Sequence, residues 1–340
     1  VNMSAITESR FKSSDGIHNC YYITATPREE PKGILQISHG MCEYIDRYRD
    51  FALFMADNGY IVCGNDHLGH GKTADSPDDL GYFAEKNGWQ CAVEDLHRLT
   101  RIMKERYPEL PYYLLGHSMG SFLARAYAIK HGHECEAFIF MGTADGFESA
   151  ISELLENGGR LTAKLEEKKG KVNTGRLSSG AITALLSQGE LLKKIKGDRY
   201  RSEILDKIAF GKSNDRIENC RTRYDWITRD NEIVDKYSAD PYCTFIFTVN
   251  GFLNLASVLW YVSNEKWYAN IPKDIPILLL AGDADPVGNY ANGVRAVYDK
   301  LCSYRADAAI KIYEGARHEL LNEINRTEVY EDILQFLKNI

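Results

Sequence analysis

The sequence predicts a mostly parallel α/β sheet with helices on both faces, interrupted by a long, mainly helical insertion. Three observations predict it. Short β-rich apolar runs alternate with segments of helical periodicity along most of the chain. About 120 residues without a strand pattern, from about Asp145 to Asn270, then separate two successive runs, too many for an ordinary loop. Finally, one run breaks through a glycine-flanked serine directly into a helix pattern, the order strand, sharp turn, helix.

The elements follow in order. Ile6–Phe11 and Asn19–Thr24, around the turn signal Ser14-Asp15-Gly16, read as a hairpin on the sheet edge. Six further strand runs are Gly33–Ser38, Tyr60–Asn65, Tyr112–Leu115, Glu136–Met141, Ile275–Ala281 and Ile310–Tyr313, so eight strands are expected in all. Helix patterns occupy Tyr44–Asn58, Trp89–Tyr107, Ser121–His131, Asn289–Tyr304 and Thr327–Leu337. Pro111, Pro272 and Pro276 stand before strands, where a missing amide does least harm. Within the insertion, the charged stretch Arg160–Lys171 and the basic turns around Lys193–Arg201 read as solvated faces. Its most apolar part, Phe245–Val262, reads as a packed helix, with an acyl-lining or membrane-facing surface as the alternative.

Composition bounds the function. The chain has 340 residues, 44% of them hydrophobic and 26% charged, enough for a real core without disulfides. Its 41 basic and 48 acidic residues give a net charge of −7, which argues against a nucleic-acid partner. No apolar run reaches the roughly 18 residues of a membrane-spanning helix. The eight cysteines are scattered with no CxxC pair, which reads as free, mostly buried thiols in a reducing compartment. Val1–Arg10 lacks the apolar core of a signal peptide. A cytoplasmic enzyme is the expectation, peripheral at membranes if the insertion touches one. No phosphate-cradling glycine motif is present, so no nucleotide cofactor is expected.

Gly116-His117-Ser118-Met119-Gly120 carries the chemistry. It fits G-x-S-x-G, and a nucleophile on so tight a turn needs small neighbours, which Gly116 and Gly120 supply. The turn presents Ser118 at a helix N-terminus, where developing negative charge is favoured. Serine needs a base to remove its proton and a carboxylate to hold that base. Only one of the nine histidines lies beyond residue 133, and that is His318, in the loop after the last strand; it is the expected general base. Asp285 is the expected acid, because it lies past the carboxyl end of a strand and Pro286-Val287 would bend the chain and bury it. Asp283 and Asp145 remain alternatives. The oxyanion donors are expected from the backbone N–H groups of Met119 and Met41, the latter in His39-Gly40-Met41 after an early strand. Gly40 there permits close backbone approach.

The remaining histidines have plainer readings. His67 and His70 could suggest metal ligands, but nothing completes a zinc spacing and a structural loop is the better reading, so no metal is expected. His117 should pack or hydrogen-bond beneath the nucleophile. His131 and His133 should be solvated near a helix end.

Three stretches carry a resemblance: His39-Gly40-x-x-Glu43-x-x-x-Arg47-Tyr48, Asp66-His67-x-Gly69-His70-Gly71-x-Thr73, and Tyr107-Pro108 through Gly120. With Gly282-x-x-Asp285 and His318-Glu319-Leu320, they resemble the monoacylglycerol lipases and the bacterial lysophospholipases of the α/β-hydrolase superfamily. Ser121 departs from them, standing where the eukaryotic lipases usually have a third glycine. The resemblance implies an α/β-hydrolase fold, with residues 1–145 and 271–340 as the core and 146–270 as a helical cap. It also implies a cofactor-free serine hydrolase cleaving the carboxylic ester of a single-chain acyl lipid, monoacylglycerol or lysophospholipid. Partners would then be that small-molecule lipid and, transiently, a membrane surface met by the cap; the sequence sets no oligomeric state. A short-chain esterase, a thioesterase or a peptidase of the same superfamily is the alternative, the last needing cap acids such as Glu153, Glu156, Glu166 or Glu167. A non-catalytic binding protein on the same scaffold is a more distant one.

Overall fold

The computed structural model describes residues 5–145, 189–211 and 213–340. Eight strands form one sheet: β1 (Ala5–Lys12), β2 (Asn19–Thr26), β3 (Gly33–Ser38), β4 (Tyr60–Asn65), β5 (Tyr112–His117), β6 (Ala137–Met141), β7 (Ile277–Gly282) and β8 (Ala308–Tyr313). Their order across the sheet is β1-β2-β4-β3-β5-β6-β7-β8. β2 runs antiparallel to both its neighbours, and every other pair is parallel. The central strands are buried along their whole length, which is why they read as continuous apolar runs rather than alternating ones.

The described α-helices are α1 (Arg49–Asp57), α2 (Gly88–Arg106), α3 (Met119–His131), α4 (Glu203–Phe210), α5 (Asn231–Ala239), α6 (Val249–Ser263), α7 (Glu265–Asn270), α8 (Asn292–Ser303) and α9 (Arg326–Lys338), with residues 189–196 also helical. Two large apolar clusters back the sheet. One holds Ala92, Leu99, Leu123, Phe140 and Val297 from α2, α3, β6 and α8. The other holds Phe51, Leu115, Leu280 and Ile333 from α1, β5, β7 and α9. No described helix is long and apolar enough to cross a membrane.

Two helix starts lie three or more residues from the sequence reading, for physical reasons. Asn289, Tyr290 and Ala291 all have positive φ (48°, 55° and 70°), so α8 cannot begin before Asn292. The segment expected to be helical from Tyr44 opens as a single 3₁₀ turn, Ile45–Tyr48, before α1. His131 also differs: it is not solvated but mostly buried, its ring stacked on that of His97 at 3.7 Å, while His133 stays exposed.

Between β6 and β7 the described elements are helices. α6 is the packed helix expected there, and it has two faces. Val258, Leu259 and Val262 join the apolar cluster that contains α2 and α3. Val249, Phe252 and Ala256 face a cavity over the carboxyl end of the sheet. Arg125, fully buried in α3, fastens α6 in place. Its guanidinium donates to the Val262 carbonyl at 2.7 Å and the Ala144 carbonyl at 3.0 Å, and lies 4.6 Å from the centre of the Trp267 ring.

Candidate active site

Ser118 ends β5 and begins α3 with φ 53° and ψ −124°, a conformation L-residues seldom adopt and one that stores strain. The neighbouring residues make it tolerable. A Cβ on Gly120 would collide with the Ser38 and His39 carbonyl oxygens, and one on Gly116 with the carbonyl of Gly120. The Ser118 amide donates to the Met141 carbonyl at 2.9 Å, fixing the elbow to the next strand.

His318 lies in the loop after β8. Its Nδ1–H donates to Asp285 Oδ2 at 2.9 Å, and Asp285 is fully buried, its Oδ1 accepting the Val287 amide at 2.9 Å. The Pro286-Val287 bend thus buries and orients the carboxylate. The structure brings neither alternative acid to the base. Asp283 is exposed and accepts the Gly315 amide, and Asp145 faces Lys300 at 3.7 Å. Insertion residues hold the base loop: the His318 and Glu319 amides donate to the Trp226 and Ile227 carbonyls at 3.4 and 2.7 Å, and the Trp226 ring lies 5.2 Å from that of His318.

The loop after β3 lies against the elbow. A Cβ on Gly40 would be 3.0 Å from that of Ser118, so glycine is needed there for close approach. His39 Nδ1–H donates to the Gly40 carbonyl at 2.8 Å. The peptide is trans, so the Met41 N–H points the opposite way from that bound carbonyl. Met119 is the first residue of α3, and its N–H has no acceptor within the helix. Ser118, Met41, Met119 and His318 all line the same cavity, whose walls are largely apolar, among them Phe122, Leu255 and Leu259.

His39, His67 and His70 form a buried group behind this loop rather than a convergent ligand set. His39 Nε2 accepts the His67 amide at 3.0 Å, and His70 Nδ1–H donates to the Leu68 carbonyl at 3.0 Å. Burial pushes the His39 imidazole down to about 4 and His70 to about 3, so both are neutral at pH 7. Among the described residues, Glu94, His97 and His131 could bring three ligand atoms within 4.8 Å of one another. Lys130 already pairs with Glu94 at 2.8 Å, and none of the three lines the cavity.

Glu43, Arg47, Tyr48 and Glu319 were not assigned a role from the sequence, yet they gather beside His117 at the elbow. Glu43 accepts from His117 and Tyr48, each at 2.8 Å, and Arg47 forks onto Glu319 at 2.6 and 2.7 Å. Burial opposes charge on both Glu43 and His117. Their mutual attraction outweighs it, holding the carboxyl below its ordinary range and raising the imidazole above its own. The available signal was that all four residues fall in the quoted motif stretches beside the site residues. The peptidase candidates Glu153, Glu156, Glu166 and Glu167 lie outside the described residues.

A doubly wound sheet, a strained serine on a strand-to-helix elbow and a histidine–carboxylate pair after the last two strands define an α/β-hydrolase. The chain belongs to the Hydrolase_4 family, described as serine aminopeptidase, S33, whose model matches residues 29–325. It is 26% identical over 336 residues to a monoacylglycerol lipase of Mycolicibacterium smegmatis, covering 98% of each chain. It is 24% identical over 307 residues to the human monoglyceride lipase, covering 88% of this chain and 79% of that protein. Among solved structures it is similar to a thermostable carboxyl esterase from Bacillus coagulans in complex with glycerol, with 32% identity, TM-score 0.84 and 99% of each chain covered. The resemblance to monoacylglycerol lipases therefore extends over nearly the whole chain.

Proposed function

We propose that this chain is a serine hydrolase of carboxylic esters, acting on a single-chain acyl lipid with a neutral head group, monoacylglycerol in preference to lysophospholipid. The observation that carries it is the His318–Asp285 pair lining, with Ser118, a largely apolar cavity. Ser118 Oγ attacks the ester carbonyl while His318 Nε2 takes its proton, and Asp285 holds the ring so that Nε2 is the free nitrogen. The amides of Met41 and Met119 receive the oxyanion, where losing one donor typically costs about 10²–10³ in turnover. His318 returns the proton to the leaving alcohol, and water, deprotonated by the same nitrogen, releases the fatty acid from the acyl-enzyme.

The cavity supports the substrate class. Phe122, Val249, Phe252, Leu255, Ala256 and Leu259 offer an acyl chain an apolar wall. Among the described lining residues each acid or guanidinium has an opposite partner: Asp206 with Arg223, Glu319 with Arg47, Glu43 with His117. That leaves no unpaired described cation for a phosphate group and no unpaired described carboxylate for a peptide amine, although the family's description names an aminopeptidase. Residues 146–270 act in this reading as the cap over the acyl pocket.

The test is product release from 1-monoacylglycerols of several chain lengths, lysophosphatidylcholine, short p-nitrophenyl esters and an amino-acid p-nitroanilide, each with wild type and Ser118→Ala. Long-chain monoacylglycerol should be preferred, and the variant should lose about 10⁴–10⁶ in turnover while keeping its melting temperature. Activity surviving in Ser118→Ala would refute the nucleophile. Short esters alone would refute the lipid, and p-nitroanilide cleavage would favour the peptidase.

A further inference from the structure

Three loops meet at this site from distant parts of the chain, and one buried ion pair touches all three. Glu43, 2% exposed, accepts a short hydrogen bond on Oε1 from the Gly40 amide, in the loop that carries Met41. The same carboxylate takes His117 Nδ1–H at 2.8 Å, on the residue before Ser118. On the other side of the ring, His117 Nε2 faces the His318 carbonyl at 3.2 Å. A carbonyl oxygen can only accept, so a hydrogen bond there needs a proton on Nε2; an ionised carboxylate also only accepts, so a hydrogen bond to Glu43 needs one on Nδ1. Serving both acceptors at once, His117, 3% exposed, would be a doubly protonated imidazolium. Arg47 closes the set, donating to Glu43 Oε2 at 3.2 Å and forking onto Glu319, the residue after His318. Two anions and two cations balance, with the Tyr48 hydroxyl on Glu43 Oε1 completing the shell.

We propose that Glu43 and His117 form a charge-paired clamp that locks the oxyanion loop, the nucleophile elbow and the base loop in register, both acting as positioning residues for the hydrolytic step. The proposal rests on the ester-hydrolase reading above. Its physical basis is that a buried ion pair is a poor source of stability compared with apolar packing, whereas its fixed geometry holds three backbone segments at once. The peptide groups it grips, Gly40 N–H and His318 C=O, lie one residue from an oxyanion donor and on the base itself. A neutral ring at His117 could serve only one of its two acceptors, and one of the loops would be released. The groups facing His117 are Glu43, Glu319, Arg47, Tyr48, His39 and His318, and neutralising Glu43 removes its nearest anion.

The experiment compares wild type and Glu43→Gln on p-nitrophenyl butyrate, with melting curves, and records ¹⁵N shifts of His117 at pH 8. Glutamine keeps the shape and an acceptor but not the charge. The expected result is a fall in kcat of about 10–10², as for misplaced catalytic geometry, with KM within about threefold. In wild type both ring nitrogens of His117 should be protonated, and in the variant only one. A Glu43→Gln protein with wild-type kcat, or a loss wholly in KM, overturns the clamp. So does a neutral His117 in wild type, a measurement that stands even if the variant does not fold. If wild type neither hydrolyses the ester nor reacts with a fluorophosphonate, the hydrolase reading fails instead, and the ¹⁵N shifts still decide the charge state of the clamp.

Discussion

His39 shows how a single side chain can aim a backbone amide. Held neutral by burial, it spends its one proton on the Gly40 carbonyl and its lone pair on the His67 amide. Charging the ring would add a second proton at Nε2, where a donor already points. The unfolded chain takes that proton near pH 6.5, while the folded chain holds out to about 4. Between those values the unfolded state binds more protons, so stability that His39 contributes above pH 6.5 drains as pH falls through this window and is fully lost below about 4. At roughly 1.4 kcal/mol per pH unit, this amounts to about 3 kcal/mol. The stability difference between wild type and His39→Gln, measured by urea unfolding from pH 8 to pH 4, should shrink by that order. A difference that stays constant with pH would mean the ring is not held neutral.

At the scale of elements, Arg125 joins the insertion to the core. It meets α6 at that helix's C-terminal end, where unsatisfied carbonyls favour a cation. Its described hydrogen-bond partners include no carboxylate: its two terminal nitrogens donate to oxygens of Thr143, Ala144, Val262 and Tyr268. Arg125→Leu should therefore cost on the order of 2–4 kcal/mol by orphaning buried acceptors, read as a lower midpoint in denaturant. A midpoint unchanged within error would show that α6 is held by its apolar face alone. Much of this level was legible in the sequence, because strands and elbow are local: the apolar run Tyr112–Leu115 leads straight into the elbow, and Gly116 and Gly120 bracket Ser118. Asp285 was legible through the proline beside it. The Glu43–His117–Arg47–Glu319 set was not, since its partners are 74 and 272 residues apart and no periodicity encodes such contacts. The start of α8 was not legible for a different reason: Tyr290 and Ala291 adopt positive φ, which residues of those types seldom do and no local pattern marks.

Over the whole molecule, the cavity is a joint product of segments that share little else. Met41 comes from the loop after β3 and Phe122 from α3, Leu205 to Leu259 from the insertion, and Pro286 to Glu319 from the last loops. A small apolar cluster of Trp226, Val234 and Tyr237 borders it, with Tyr44 and Val287 of the core packed against that cluster. An acyl chain in the cavity would thus touch all three parts and stabilise their association, because its methylenes leave water only in the folded state. Each buried methylene contributes about 0.8 kcal/mol, so adducts on Ser118 should differ in stability by their tails alone. A decyl fluorophosphonate adduct should melt higher than an ethyl one by roughly 5 °C or more, the same phosphonylation having taken place at the same serine. Both labels test the nucleophile equally, so the difference isolates the pocket. Equal melting temperatures would mean the long tail projects into water, and the apolar wall of α6 would then have to serve something other than an acyl chain.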